Sequence, residues 1–452
     1  MRALTSRPPD SITSGRARAR GAADGAAILR RMLVLARRYA HAGPALWVLA
    51  ATTIANVFAY GYQVVMARLL EPEDYAILTA LFGILILESL SAQVIQAGTA
   101  RIVTRYRVLG DEAALHVFVR RWTRRVVLGA GLPSLVVIMT APVAAPALAL
   151  PTPAVALLGL ALFLAAPLTF TGGLLQGLAR FGWFGWYFIV QAVARLVVGV
   201  ALVELGFGVT GAFVGALSAL AAGLILSLIP LVPLFRAARG AVHTVEFGRA
   251  EARFFVLASV IMLGYAALTN MDAVAGRALL SAAEAGAYAG TITMAKIVLF
   301  APIAVGFILL ERTARAHARN EDTDRGLFIA LGLVLATSGP VTLAYLMRPA
   351  LFTSIILGGQ YPLAATLIGP YAVAALLNAL LSLWIAHFIG RGEMGFGLLL
   401  AVAVAAELGG ILSIGRDAAT LVRVVLGVAT ATQGAALAMY WWSRTRRRLA
   451  AA

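Results

Sequence analysis

Lys296 is the only lysine among 37 basic residues, and it stands inside an apolar run. Arg195, Glu88 and Glu407 occupy three other apolar runs, and Asp272 lies near the end of a fifth. A charge removed from water is costly unless something compensates it, so ionisable residues in such runs mark sites of chemistry. Lys296 and Arg195, if they face a cavity, suit phosphate oxygens, which accept charge-assisted hydrogen bonds from cations. Glu88 and Asp272 suit the transfer of a proton or a cation, because a carboxylate in low dielectric holds a proton more readily than in water. Each assignment has a plainer alternative in an internal ion pair: Lys296 with Asp272 or Glu88, Arg195 with Glu204 or Glu407. Glu407 is read as an ion-pairing residue.

Uncharged polar residues recur at helical spacing around these charges. Thr52, Asn56, Tyr60 and Gln63 share one helical face; Ser89, Gln93 and Gln96 share a second; Tyr265, Thr269 and Asp272 share a third. Asn56, Gln63, Gln93 and Gln96 are candidate hydrogen-bonding walls for a hydroxyl-rich ligand, the alternative being hydrogen bonds between helices. The five histidines are scattered and there is no cysteine. No spacing for metal ligands, no nucleophile with its base and no phosphate-cradling glycine loop appears, so neither a metal nor a cofactor is expected.

The elements that carry these residues follow from composition. Of 452 residues 61% are apolar and 13% charged, whereas soluble domains run about 45–50% and about 25%. A soluble fold lacks the polar surface to cover so much apolar mass; a bilayer accepts it. Crossing the hydrocarbon takes about 20 apolar residues as a helix. Twelve runs qualify: 44–66, 75–97, 126–148, 153–178, 183–205, 210–235, 254–275, 286–310, 327–347, 363–389, 394–414 and 419–442. They are long and do not alternate, and a helix satisfies its own backbone hydrogen bonds in lipid. Kinks are expected at Pro142, Pro146, Pro167, Pro230, Pro233 and Pro302. At about 1.5 Å per residue, Glu88, Arg195 and Glu407 fall near the midplane and Lys296 somewhat outward of it.

The net charge of +17 does not describe a nucleic-acid-binding surface, because the arginines sit in tails and short loops. With the N-terminus cytoplasmic, the inside segments hold thirty basic residues and the outside loops four: Arg68, Arg277, Arg348 and Arg416. That asymmetry predicts an even number of spans with both termini cytoplasmic. Clusters such as Arg120, Arg121, Arg124 and Arg125 set topology and touch anionic lipid. Residues 1–28 read as disordered and 29–40 as a basic amphipathic helix on the membrane surface, the alternative being translation from Met32. No cleavable signal peptide is read. The expected organisation is a basic tail (1–43), six helices (44–235), a cytoplasmic linker (236–253), six more helices (254–442) and a second basic tail (443–452).

Two segments open helices. Glu71-Pro72-Glu73-Asp74 places proline in the first turn and acids at the positive end of the dipole. Ser281-Ala282-Ala283-Glu284 has capping-box spacing. The stretches 70–78 and 280–288 align without a gap, one before helix 2 and one before helix 8, as in a parallel duplication of six helices.

The stretch from Met66 to Tyr75 (MARLLEPEDY) resembles the "ARxLGPxDYG" segment of polysaccharide-biosynthesis flippases, a family of the multidrug/oligosaccharidyl-lipid/polysaccharide exporter superfamily. Asp272 through Tyr288 (DAVAGRALLSAAEAGAY) is similar to that family's "DxxxxGxxLSxxEVGxY", and Leu357-Gly358-Gly359-Gln360-Tyr361 to its "FGxxY" loop. The chain departs from the pattern at Glu71 and Ala76, where the family has glycine. The resemblance spans about residues 44–445. It implies an all-α polytopic fold of two six-helix bundles around a central cavity, in a bacterial inner membrane. The implied activity is alternating access that carries an undecaprenyl-pyrophosphate-linked saccharide to the outer leaflet, for polysaccharide or lipopolysaccharide synthesis. The implied partners are the lipid-linked saccharide, membrane lipids and a polysaccharide polymerase or glycosyltransferases. Two alternatives stand beside it. One is a cation-coupled multidrug exporter of the same superfamily, in which acids rather than Lys296 and Arg195 should dominate the spans. The other is a membrane polymerase or ligase, which needs a large outer loop; the longest here is 348–362, so no enzyme is expected.

Overall fold

A computed structural model describes residues 43–44, 46–236, 249–318 and 323–451. The readings of the N-terminal tail and of most of the 236–253 linker lie outside the described residues. Among the described residues the chain is all helix, with no strand. Ten stretches are long and apolar enough to cross a membrane. One of these, Phe181–Phe235, is two helices. Its chain turns back at Val203–Phe207, a π-helical turn with Gly206 at φ 88, followed by Gly208 at φ 51. A side chain at either glycine would be forced into the left-handed region. The returning helix lies so close that a Cβ on Gly215 would come 2.6 Å from the Cα of Gly199, and one on Gly223 would meet Gln191 at 2.5 Å. These pairs run in opposite directions along the two helices, as an antiparallel hairpin requires.

The long helices are α1 (Leu46–Leu69), α2 (Pro72–Leu109), α3 (Glu112–Ala147), α4 (Thr152–Gly177), α5 (Phe181–Leu202) and α6 (Gly208–Leu228). After the linker come α7 (Arg249–Leu279), α8 (Ala282–Ala318), α9 (Asp324–Met347), α10 (Ala364–Gly390), α11 (Phe396–Ile414) and α12 (Ala418–Ala451). A short helix, Pro349–Leu357, stands between α9 and α10. Every expected span falls on one of the twelve. Proline sits inside α3 (Pro133, Pro142, Pro146) and α4 (Pro167), and Pro230 opens the 3-10 turn Ile229–Leu231 that ends α6.

Helix starts follow local chemistry with one correction. Glu71 caps α2 with Pro72 at its first turn and Glu73 and Asp74 behind it. At α8, however, the Ser281 hydroxyl donates to the Glu284 carboxylate (2.8 Å) instead of accepting from the helix backbone. A carboxylate is the stronger acceptor for a hydroxyl that can rotate toward it.

Helices α1–α6 pack on one another, as do α7–α12, and the two sets meet where α2 runs along α7 and α8. Apolar side chains of both sets merge there into one buried cluster, including Tyr75, Leu78 and Leu81 of α2 with Ala273, Tyr288, Ile292 and Ala295. Hydrogen bonds that cross this seam gather at the end holding the α1–α2 and α7–α8 connections. Arg277 donates to Glu73 (2.9 Å) and to the Ala149 carbonyl (3.0 Å), and Tyr75 shares a 2.5 Å hydrogen bond with Thr293. The seam is therefore pinned at one end of the bundle.

Candidate functional site

Helix α8 brings Tyr288, Thr293 and Lys296 to the seam. Tyr288 and Lys296 are eight residues apart, two turns along one face. Lys296 is half-buried, and its Nζ donates across the seam to Gln63 Oε1 of α1 at 3.2 Å. Arg195 comes from α5 in the other set. Its guanidinium lies over the Phe82 ring, 5.5 Å from the centroid, and its Nε has no hydrogen-bond partner. Phe82 is itself held by edge contact with Tyr62 (6.0 Å) and by Phe213 (6.2 Å). Tyr62 is fixed by donating to the Ala212 carbonyl at 2.7 Å. The cation thus rests on a rigid aromatic platform that offers no counter-charge. Arg195 and Lys296 are within electrostatic reach of each other, and Asp272 is within electrostatic reach of Lys296. Among the described residues neither forms an ion pair with Asp272, Glu88, Glu204 or Glu407.

Asp272 is spoken for elsewhere. It is 1% exposed, and its Oδ2 accepts from the hydroxyls of Tyr288 (2.9 Å) and Tyr371 of α10 (2.6 Å), while the amide of Ala273 donates to Oδ1 (2.9 Å). The two tyrosine rings meet edge to face at 5.7 Å. Three donors on one buried carboxylate account for its place in a low-dielectric interior, where an unpaired charge would cost several kcal/mol. Glu407 of α11, 3% exposed, lies within electrostatic reach of Asp272, and among the described residues no hydrogen bond reaches it. The pairing of Glu407 with Arg195 is thereby corrected. Helix α11 packs on α7 and α12, and Glu407 turns inward to the second set.

The remaining candidates separate. Glu88 of α2 is half-buried and acts electrostatically on Tyr187 of α5; Gln96 packs beside Gly172 of α4, where the Tyr187 hydroxyl also lies. Asn56 and Gln93 are exposed along α1 and α2. On the third polar stripe, Tyr265 donates to the Asn378 carbonyl (3.2 Å) and Thr269 to the Tyr265 carbonyl (2.8 Å). The structure therefore joins Lys296 to Gln63 by a hydrogen bond, with Arg195 on one side and Asp272 on the other within electrostatic reach of Lys296, and sets Glu407 within electrostatic reach of Asp272. Among the described residues no group of three or more His, Asp or Glu side chains is arranged to hold a metal.

Reading the sequence did not single out Phe82, Tyr62 or Tyr371. Tyr288 was visible as the last residue of a motif and as the residue two turns before Lys296. Phe82 and Tyr371 are aromatic residues in apolar runs, with no spacing to set them apart.

No family model and no curated protein sequence matches the chain. Solved structures do. An inward-facing multidrug resistance MATE transporter of the MOP superfamily aligns with TM-score 0.63 and 16% identity over 89% of this chain and 98% of its own. The lipid II flippase MurJ in an inward closed conformation aligns with TM-score 0.65 and 8% identity over 87% of each chain. A MOP superfamily transporter from Pyrococcus furiosus aligns with TM-score 0.56 and 15% identity over 89% of this chain and 93% of its own. The chain has the fold of these polytopic membrane transporters.

Proposed function

We propose that the chain is a transporter that flips an undecaprenyl-pyrophosphate-linked saccharide to the outer leaflet by alternating access, and that Arg195 and Lys296 hold the diphosphate. One observation carries this reading. Two cations, one from each set of helices, lie within electrostatic reach of each other at the seam, and among the described residues neither is in ion-pair contact with an acid, Asp272 acting on Lys296 only from a distance. A cation withdrawn from water without an ion-pair contact is costly, and an anionic cargo supplies the counter-charge. Gln63 completes the contact, and Asn56, Gln93 and Gln96 are the remaining hydrogen-bonding positions for sugar hydroxyls. The likeness in fold to a lipid II flippase supports a lipid-linked cargo, and the motif resemblance supports a saccharide. Thirty basic residues at the tail-bearing end against four at the other support a bacterial cytoplasmic membrane with both termini inside. Residues 44–235 and 254–442 are the two rocking units in this reading, and a polymerase or glycosyltransferases are the enzymes that supply and use the cargo.

The buried carboxylates favour a second reading, a cation-coupled multidrug exporter, since Asp272 and Glu407 form an acidic site of their own. The two readings part in one experiment. Purified protein in liposomes is offered a fluorescent undecaprenyl-diphosphate saccharide and, separately, a lipophilic dye cation. The flippase reading expects translocation of the lipid, lost in Lys296→Ala and in Arg195→Ala with the protein still inserted. Dye transport without lipid translocation would select the exporter.

A further inference from the structure

Three stretches that resemble family motifs, around residues 66–75, 272–288 and 357–361, lie far apart in sequence and meet at the pinned end of the seam. Arg68 of α1 reaches across to the short helix Pro349–Leu357. Its Nε donates to the Ile356 carbonyl at 3.2 Å and its Nη2 to the Ile355 carbonyl. Those carbonyls belong to the last turn, where intrahelical donors run out because Gly358, at φ 82, takes the chain out of the helix. A cation is favoured at that negative end of the helix dipole. Arg68 therefore caps a helix of the opposite set. The contact is answered in reverse: Gln360 Nε2 donates to the Arg68 carbonyl at 3.3 Å, and the Tyr361 hydroxyl to the Ala67 carbonyl at 2.7 Å. Tyr361 also sets its ring edge-on to Tyr75 at 6.1 Å, beneath the Tyr75–Thr293 bond.

Glycine lets the helices close beneath this cap. A Cβ on Gly286 would come 2.4 Å from the Pro72 Cβ, and one on Gly83 would come 2.9 Å from the Asn270 carbonyl oxygen. No side chain fits at either point without forcing α2 away from α7 and α8. Backbone carbonyls accept these cross-seam bonds and the side chains of Arg68, Gln360 and Tyr361 donate them, so the cap depends on those three donors and on the position of the short helix and of the α1 end.

We propose that Arg68, Gln360 and Tyr361 form an outer latch that keeps the seam closed to the outside, and that breaking it is the step that opens the bundle outward. The motif residues then govern which side is open and do not select the cargo. The proposal rests on the orientation and the alternating access argued above, but its test needs no cargo, so failure of the cargo assignment leaves it standing. The chain has no cysteine, so single reporters are clean. Ala273 lies under the latch, 6% exposed, beside Gly83. An Ala273→Cys reporter in right-side-out vesicles is exposed to a membrane-impermeant maleimide. Arg68→Ala should raise its labelling about tenfold, the effect of losing a charge-assisted pair of hydrogen bonds. Tyr361→Phe, which removes one hydroxyl and keeps the ring, should raise it less, and Arg68→Lys should fall between native and alanine. A second reporter, Ala212→Cys, buried at the α1–α6 contact within the first set and off the seam between the sets, should stay slow in all of them. Unchanged Ala273→Cys labelling in both Arg68→Ala and Tyr361→Phe would overturn the latch. So would an equal rise from Arg416→Ala, which alters an outer arginine that makes no cross-seam bond, or a parallel rise at Ala212→Cys.

Discussion

The cationic pair and the acidic pair solve opposite problems with the same raw material. Arg195 and Lys296 come from different sets of helices, stay half-buried, and lean on an aromatic ring and an amide. Asp272 and Glu407 come from one set and are buried, with Asp272 enclosed by two tyrosine hydroxyls and a backbone amide. In the proposed reading, a site that must let a bulky anion in and out keeps its charges at a movable interface and leaves them incompletely paired. A site proposed to exchange only a small cation needs no opening of that size, and the donors around Asp272 lock three helices together. The pairing of charges, more than their sign, separates the two roles.

The largest effect expected from breaking this comparison is on cargo. A hydrogen bond to a charged group contributes about 1.5–3 kcal/mol, so Lys296→Ala or Arg195→Ala should weaken binding of a diphosphate lipid about 10–100-fold each. Fluorescence titration in detergent micelles measures this. Because both residues grip one group, the double variant should lose less than the product of the single effects. Wild-type affinity in the double variant would remove the cationic pair from the site. Next in size is coupling. Asp272→Asn should abolish the dependence of transport on an imposed ion gradient, with Glu407→Gln acting in the same direction. If Glu88→Gln abolishes it and Asp272→Asn leaves it intact, the coupling carboxylate lies in the first set and the comparison fails.

Smaller effects sharpen it further. Tyr371→Phe removes a 2.6 Å hydrogen bond to Asp272 and should lower stability by about 1.5 kcal/mol, read as a fall in Tm, while cargo affinity is retained. The smallest effect belongs to Asp417, which caps α12 from outside the membrane. The amide and hydroxyl of Thr420, both at 2.8 Å, hold its carboxyl below the usual range. Such a group stabilises the fold above its unfolded pKa and stops doing so as pH falls through its lower folded value. Asp417→Ala should therefore cost a little stability at neutral pH and nothing in strong acid, measured by melting curves at the two pH values.

Much of this was legible in the residues. Pro72 and the acids behind it started α2 as local dipole chemistry requires, because that chemistry is complete within one turn. The twelve apolar runs became twelve helices, since lipid leaves a backbone no other way to satisfy its hydrogen bonds. Lys296 was conspicuous because a lone lysine in an apolar run has few innocent explanations. What failed was partner choice. Glu407 was read as an ion-pairing residue, with Arg195 one possible partner, but its depth in the bilayer does not fix the direction in which a helix turns. The helix starts at Ala282 as Ser281 and Glu284 led one to expect, but the Ser281 hydroxyl turns to donate to the Glu284 carboxylate.

The sequence by itself determined that the chain threads a bilayer, how many long helices it forms, which end carries the arginines, and which side chains are too costly to bury idly; it did not determine the helix ends, since α2 runs on to Leu109 and α3 starts at Glu112, well outside the apolar runs. Only the tertiary structure decided which of those side chains meet: that Lys296 finds Gln63 and not Asp272, that Phe82 lies under Arg195, and that Tyr371 reaches Asp272 from α10. Helix formation in lipid is set by backbone hydrogen bonds within a few residues, so one strand of sequence carries the whole instruction. The meeting of side chains depends on how helices rotate and cross, which small residues such as Gly199, Gly215 and Gly286 set by admitting close approach between segments distant in the chain.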